Sequence, residues 1–338
     1  MKKNLRQSLA LFLLAALLAS CGGEKSRQHV LKLAHGLPKS HSVHLGMVYM
    51  KNRLNELSGG KMDMEIYDSG QLGGENQTVE LMQIGSLDMA KVSSGSLESF
   101  VDELKVFGIP YLFTSKEHYF AVLDSPVGEA FLEATTPYWL KGLGYYDSGA
   151  RSFYTVKKPI LTPNDLKGLK IRVMRSPIAV AMMQTFDGSA TPVDFGELYT
   201  ALQSGVVDGA ENNTPSVTTA FHHEVAKYYS VNEHTMLPDM MIISQHTWVK
   251  LSEQEQEWVK QAMHESMLHQ RELWIEQEKE SMDEMIAKGM EIVYPDKAPF
   301  IEKAQPLLNK FREDEKYRPW IDAIKAVGDS LTNKTENL

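Results

Sequence analysis

"LMQIGSLDMAKVSSG" (81–95) and "ALQSGVVDGAENNTP" (201–215) are one sentence written twice. Each carries an apolar residue and Gln, a Gly stop, an apolar residue followed by Asp, and then Ala two positions on. The first ends in Ser93-Ser94 and the second in Asn212-Asn213. Both read as the close of a helix, a short strand and a polar turn. Standing alone, "VDGAEN" also reads as a solvated turn, since Asn and Asp favour turns for conformational reasons. The matched context favours a strand end in both.

The surroundings repeat as well. "HVLKLAH" (29–35) is a strand candidate. "SVHLGMVYMKNRLNELSGG" (42–60) is a helix, with Leu45, Val48, Tyr49, Leu54 and Leu57 expected on its apolar face. "KMDMEIY" (61–67) is a strand, "GENQTVELMQIG" (74–85) a helix and "SLDMAKV" (86–92) a strand. In the second copy "GLKIRVM" (168–174), "SATPVDF" (189–195) and "VVDGAEN" (206–212) are strands. "SPIAVAMMQTFDG" (176–188) and "GELYTALQSG" (196–205) are the helices between them, the former with Ser176 as N-cap and Pro177 in the first turn. Strands alternating with helices predict parallel sheets. Two such βαβαβ halves predict an α/β protein of two lobes around a cleft, the architecture of a hinged binding protein. Ligands of open parallel sheets bind beyond the carboxyl ends of the strands. The two polar turns therefore belong to facing walls of one cleft.

The remaining segments are connections. "VFGIPYLFTS" (106–115), with Pro110 inside, is expected to be an extended crossover between lobes. "GLGYYDSGARSFYTVKKPI" (142–160) returns to the second lobe, and 230–251 holds another extended apolar crossing. Residues 252–289 read as one long helix, capped by Ser252 with Glu255, that straps both lobes.

At the N-terminus Lys2, Lys3 and Arg6 precede the apolar run 9–19 and "LLASC" (17–21). The pattern is a secretory leader, and its end resembles a lipobox in which Cys21 is lipidated after cleavage. A simple leader cut near Ser20 is the other reading. Losing residues 1–20 takes the formal charge from −9 to −12. Such an acidic chain argues against nucleic acid and against a polybasic membrane contact. Cys21 is the sole Cys, so thiol catalysis and Cys-rich zinc sites are excluded from the fold.

No G-x-S-x-G elbow, Walker A loop or H-E-x-x-H helix occurs. His41, His44, His222 and His223 are weak metal candidates that read better as solvated or locally bonded imidazoles. Arg151 in "SGARSFYT" and Arg172 in "LKIRVMRS" stand at strand positions among uncharged residues. A guanidinium offers a planar fork matching a carboxylate and keeps its charge. Arg172, beside Ile171 and Val173 at a strand end, favours the cleft; Lys157, Lys158 and Lys170 read as surface charges. Glu75, Ser93, Ser94, Asn212 and Asn213 supply hydrogen-bonding groups for a polyol. Phe195 supplies a flat apolar wall, unless it is core packing. His35 and Met174, at two strand ends, complete the candidate ligand-binding set.

Over roughly 30–310 the sequence resembles the solute-binding subunits of tripartite ATP-independent periplasmic (TRAP) transporters. The strings carrying it are "SGGKMDMEIYDSGQLGGENQTVELMQIGSLDMA", "FGIPYLF", "DLKGLKIRVM" and "ATPVDFGELYTALQSGVVDGAENN". The resemblance implies a type II-like periplasmic binding protein fold, two hinged α/β lobes under a long helix. It implies that Arg172 binds the ligand carboxylate directly, with Arg151 and Asn212 as further contacts. "GAENNTP" and "EVAKYYSVNEHTM" are most similar to the hexuronate-binding subgroup. The expected division is a leader over 1–20, a tether over 21–28, lobe 1 over 29–145 and lobe 2 over 146–235. Residues 236–338 would form a crossover, the strap and C-terminal helices. The expected function is capture of a sugar acid by a monomer, without cofactor or metal, and its delivery to permease subunits in the membrane. Alternatives are a C4-dicarboxylate or other organic-acid binder, a ligand-presenting sensor subunit and a secreted uronate lyase or isomerase.

Overall fold

The computed structural model describes residues 28–336. The leader and Cys21 lie outside the described residues. Strands β1 (His29–Ala34), β2 (Met62–Tyr67) and β3 (Met89–Ser93) alternate with helices α1 (Ser42–Leu57) and α2 (Glu75–Gln83). Next come α3 (Ser94–Leu97), a 3-10 turn over Asp102–Gly108, α4 (Lys116–Leu123), α5 (Pro126–Glu133) and β4 (Leu140–Tyr146). The second half holds β5 (Arg151–Thr155), β6 (Lys170–Val173), α6 (Pro177–Thr185), β7 (Ser189–Pro192), α7 (Leu198–Gln203) and β8 (Gly209–Asn212). After α8 (Thr214–Thr219) and β9 (Tyr228–Thr235) come β10 (Asp239–Ser244), α9 (Gln245–Trp248), α10 (Glu253–Ala287) and β11 (Glu291–Val293). Helices α11 (Ala298–Glu313) and α12 (Arg318–Glu336) follow.

Two sheets result, ordered β2-β1-β3-β10-β4 and β11-β9-β5-β8-β6-β7. Each contains a parallel trio built by one βαβαβ run: β2-β1-β3 in one and β7-β6-β8 in the other. Beyond the trios the sheets depart from the expected parallel pattern, apart from β11 alongside β9. β10 lies antiparallel between β3 and β4, and β5 lies antiparallel between β8 and β9. A parallel neighbour needs a crossover helix to bring the chain back. β5 and β10 are reached instead by chain passing directly between the sheets, so they run against the trios.

The duplicated sentence has a matching structural role in both sheets. Asp88 Oδ2 accepts the backbone N–H of Lys32 at 2.9 Å, and Asp208 Oδ2 accepts that of Lys170 at 2.9 Å. Each Asp thus pins the first strand of its trio to the third. Ser93 and Asn213 then cap the following short helices.

Three passages join the sheets: β4 to β5, β9 to β10, and α10 leading to β11. The 106–115 segment is not one of them. It connects β3 and β4 of the same sheet and begins in a 3-10 turn rather than an extended chain. Its ring and backbone nevertheless brace the other lobe: Tyr111 N donates to His234 O at 2.9 Å, and its hydroxyl to Asn232 O at 3.1 Å. Pro110 sits in the turn that directs Tyr111 there.

α1 buries Val43, Met47, Met50 and Leu54, not Leu45, which is exposed; Val48, Tyr49 and Leu57 are only half-buried. Gly46 is the reason. Helix α10 passes so close that a Cβ there would stand 2.8 Å from Gln270 Cβ. The helix therefore turns its smallest residue, rather than its leucines, to the strap. α10 keeps its Ser252–Glu255 capping box and, at about 1.5 Å per residue, is about 52 Å long. Its first half meets lobe 1, where Ser266 Oγ donates to Gly46 O at 2.6 Å. Its last turns meet lobe 2, where Ser281 bonds Thr218 at 2.8 Å and Met285 joins the cluster around Tyr154.

Candidate functional site

The carboxyl ends of β3 and β8 face one cavity of about 300 Å³ between the lobes. Of the residues expected there, Glu75, Ser93, Arg151, Arg172, Met174, Phe195, Asn212 and Asn213 line it. His35 and Ser94 do not. Leu37 N–H donates to His35 Nδ1 at 3.1 Å, which leaves the His35 Nε2–H to donate to His44 Nδ1 at 3.0 Å. The imidazole is therefore consumed behind the lining residues Gly36 and Leu37. Ser94 is wholly buried because the chain enters α3 directly after its Ser93 cap. Ser96, two residues on, reaches the cavity in its place.

The two arginines differ in what they are free to do. Arg151 is nearly saturated. Its Nε and Nη2 donate to Glu211 Oε2 at 2.5 Å and Oε1 at 2.9 Å, Nη2 also to Glu211 O at 2.8 Å, and Nη1 to Asn212 Oδ1 at 2.6 Å. Of five N–H donors one remains. Burial alone would raise the Glu211 pKa, but Arg151 and His234 outweigh it and hold it down at about 2. Arg172, only 2% exposed, spends its Nε on Val193 O at 2.7 Å. Among the described residues no carboxylate pairs with it, so four donors on Nη1 and Nη2 remain available. Burial, and secondarily the Arg151 charge, lowers its pKa, yet a guanidinium does not lose its proton in a protein. Burial, helped by Arg172, also keeps His222 neutral, with a pKa lowered to about 3. Its Nδ1 lies 2.9 Å from the Tyr154 hydroxyl, so this histidine is locally bonded.

Asn212 gives its carbonyl oxygen to Arg151 and to Asn213 N–H, and its amide nitrogen has no acceptor among the described residues. Asn213 is a brace: Oδ1 accepts Ser216 N–H at 2.9 Å and Nδ2 donates to Ser148 O at 2.9 Å. Phe195 is half-buried and meets His222 edge-on at 5.5 Å. It stands in a 3-10 turn after β7, not in the strand expected through 195.

On the opposite wall stands a group that the sequence reading missed. Lys91, 3% exposed, donates to Glu75 Oε1 at 3.0 Å and to Asp239 Oδ1 at 3.2 Å; all three line the cavity. Glu75 Oε1 also accepts Ser93 N–H at 3.1 Å. Burial opposes the Lys91 charge, but Asp239 and Glu75 prevail and raise its pKa. Burial and the neighbouring Glu75 raise that of Asp239. A lone Lys within the apolar string "LDMAKVSS" was the available signal.

The model of the bacterial extracellular solute-binding protein family 7 matches residues 33–314. The chain belongs to this family. Chains similar to this one include the TRAP periplasmic solute-binding protein of Xanthobacter autotrophicus, solved with bound β-D-galacturonate. It is 39% identical, with a TM-score of 0.85 over 88% of this chain and 99% of that one. The protein of Anaerococcus prevotii, solved with D-glucuronate, is 36% identical, with a TM-score of 0.87 over 90% and 99%. That of a Polaromonas species, solved with D-erythronate, is 30% identical, with a TM-score of 0.85 over 88% and 99%. The family 7 chain described here is therefore a periplasmic solute-binding protein of the TRAP class and not an enzyme. The similar proteins of Xanthobacter, Anaerococcus and Polaromonas were each solved with a small sugar acid bound.

Proposed function

We propose that this protein captures a hexuronate, D-galacturonate or D-glucuronate, by its carboxylate and hands it to the permease. The observation carrying this is Arg172, a buried guanidinium on the cavity wall with four free donors and, among the described residues, no carboxylate partner. A carboxylate seats on Nη1 and Nη2 as a fork on a fork. The free amide of Asn212 and the last N–H of Arg151 reach the same anion. Phe195 offers its ring to the C–H face of a pyranose, and Glu75 and Ser93 accept or donate to its hydroxyls. The similar proteins solved with galacturonate and glucuronate support the choice of sugar acid. One chain supplies every wall of the cavity, which supports a monomer as the working unit.

Calorimetric titration tests this reading. Both uronates should bind, and galactose and glucose, their neutral parents, should not. Removing one partner of a buried charge pair costs about 2–5 kcal/mol, so Arg172→Ala should weaken uronate binding roughly 30- to 4,000-fold. Equal binding of acids and neutral sugars would refute the carboxylate contact.

The reading also includes anchoring through Cys21, motivated by "LLASC" and the absence of any other Cys. Cys21→Ser should release the protein from the membrane fraction. Unchanged fractionation would rule the anchor out.

A further inference from the structure

The charged side chains on the cavity walls fall into groups. Arg151 is neutralised by Glu211, and Arg175 by Asp194 at 2.8 Å on the rim. Lys91 stands between Glu75 and Asp239, so one positive charge faces two negative ones. Glu197 is exposed to solvent at the margin. Two uncompensated charges remain inside: the cation of Arg172 on the second lobe, and one net negative charge on the first.

We propose that Asp239, oriented by Lys91, restricts this site to acids with a single carboxylate. The inference rests on the sugar-acid reading above. Asp239 is nearly buried, and its Oδ2 has no donor among the described residues. On the cavity wall it is an acceptor left for a ligand O–H. An acid seated on Arg172 presents its far end to this wall. A hydroxyl there donates to Asp239 Oδ2 or accepts the remaining Lys91 N–H. A second carboxylate there meets two carboxylates offset by one ammonium. Like charges brought together in a desolvated site cost several kcal/mol, and such repulsion is a means of excluding a near-miss ligand. Lys91 has two tasks: its charge opposes the burial that would neutralise Glu75 and Asp239, and its two hydrogen bonds hold one oxygen of each in place.

D-galactonate and galactarate make the test, because they are open-chain acids that differ only in a terminal hydroxyl against a second carboxylate. D-galacturonate is the control. Wild type should bind galactarate about 100-fold more weakly than galactonate. Asp239→Asn keeps the shape and removes the charge, and should narrow that ratio by about tenfold or more. The ratio is taken within one variant, so a general loss of stability cancels. If Asp239→Asn does not fold, Glu75→Gln makes the same change of charge at a more exposed position and must narrow the ratio likewise. Wild-type binding of both open-chain acids within about threefold of each other would overturn the inference. So would an unchanged ratio in the folded variants. Galacturonate binding with no galactonate binding would assign selectivity to ring shape and overturn it too. Absence of galacturonate binding would fell the sugar-acid reading itself, and this inference with it.

Discussion

Positions 91 and 211 are equivalent in the two repeats, each three residues past the Asp that pins its sheet. One is Lys and the other Glu. Positions 34 and 172 are equivalent too, each aligned with the corresponding Ala of the third strand, Ala90 or Ala210; one is Ala and the other Arg. The same βαβαβ scaffold thus carries opposite charge patterns on its two walls. On the first, two carboxylates hold one ammonium. On the second, one carboxylate holds Arg151 and leaves Arg172 unmatched. Repetition fixes where side chains arrive, and the few positions that break the repeat decide what they bind. A buried charge without a partner is costly, and the cost is relieved when a counter-ion arrives. Arg172 cannot discard its proton, so its remaining relief is an anion.

Breaking the saturated pair should have the largest effect on stability. Arg151→Ala leaves Glu211 buried without its cation and should cost about 3–5 kcal/mol of unfolding free energy, read by urea denaturation. A loss of uronate binding with no loss of stability would exchange the roles assigned to the two arginines.

Glu98 sharpens the contrast from the other side. It is a buried carboxyl of lobe 1 that accepts Ser176 Oγ–H at 2.8 Å and Ile178 N–H at 2.9 Å, across the interface at the start of α6. No cation is paired with it among the described residues, and burial raises its pKa to about 7. Unlike Arg172, it can shed its charge by taking a proton. A raised carboxyl pKa means that the folded state holds a proton the unfolded chain lacks between pH of about 4.5 and 7. Its contribution is therefore complete below pH 4.5 and is lost as pH rises through 7, by up to about 3 kcal/mol. Glu98→Gln should flatten this part of the stability profile. An unchanged slope in denaturation midpoints over that interval would show that Glu98 titrates normally.

Much of this was legible in the sequence because it is local. The parallel trios follow from periodicity, the caps at Ser176 and Ser252 from residue type, and the candidacy of Arg172 from a charge inside an apolar strand. The parts that were not legible depend on residues distant in the chain. Lys91 and Asp239 meet because β10 inserts beside β3, which no local pattern announces. The saturation of Arg151 depends on Glu211 and Asn212 arriving on β8. His35 stands among the ligand-contact candidates by sequence because a strand-end histidine gives no sign that His44, in the first turn of α1, will claim its donor. On α1 Leu54 is buried as its spacing predicts, whereas Leu45 is exposed, because periodicity does not tell how closely α10 will approach Gly46.

On the proposed reading, an open guanidinium fork, and not positive charge alone, receives the carboxylate. Titration of Arg172→Lys with D-galacturonate tests it most directly, with thermal unfolding of the same sample as the check on folding. Lysine keeps the charge and loses the paired donors. The loss of one charge-assisted hydrogen bond is worth about 1.5–3 kcal/mol, so affinity should fall about 10- to 100-fold while the unfolding temperature stays near that of wild type. Binding within about threefold of wild type would contradict the account, and the carboxylate would then have to sit on Arg151 instead.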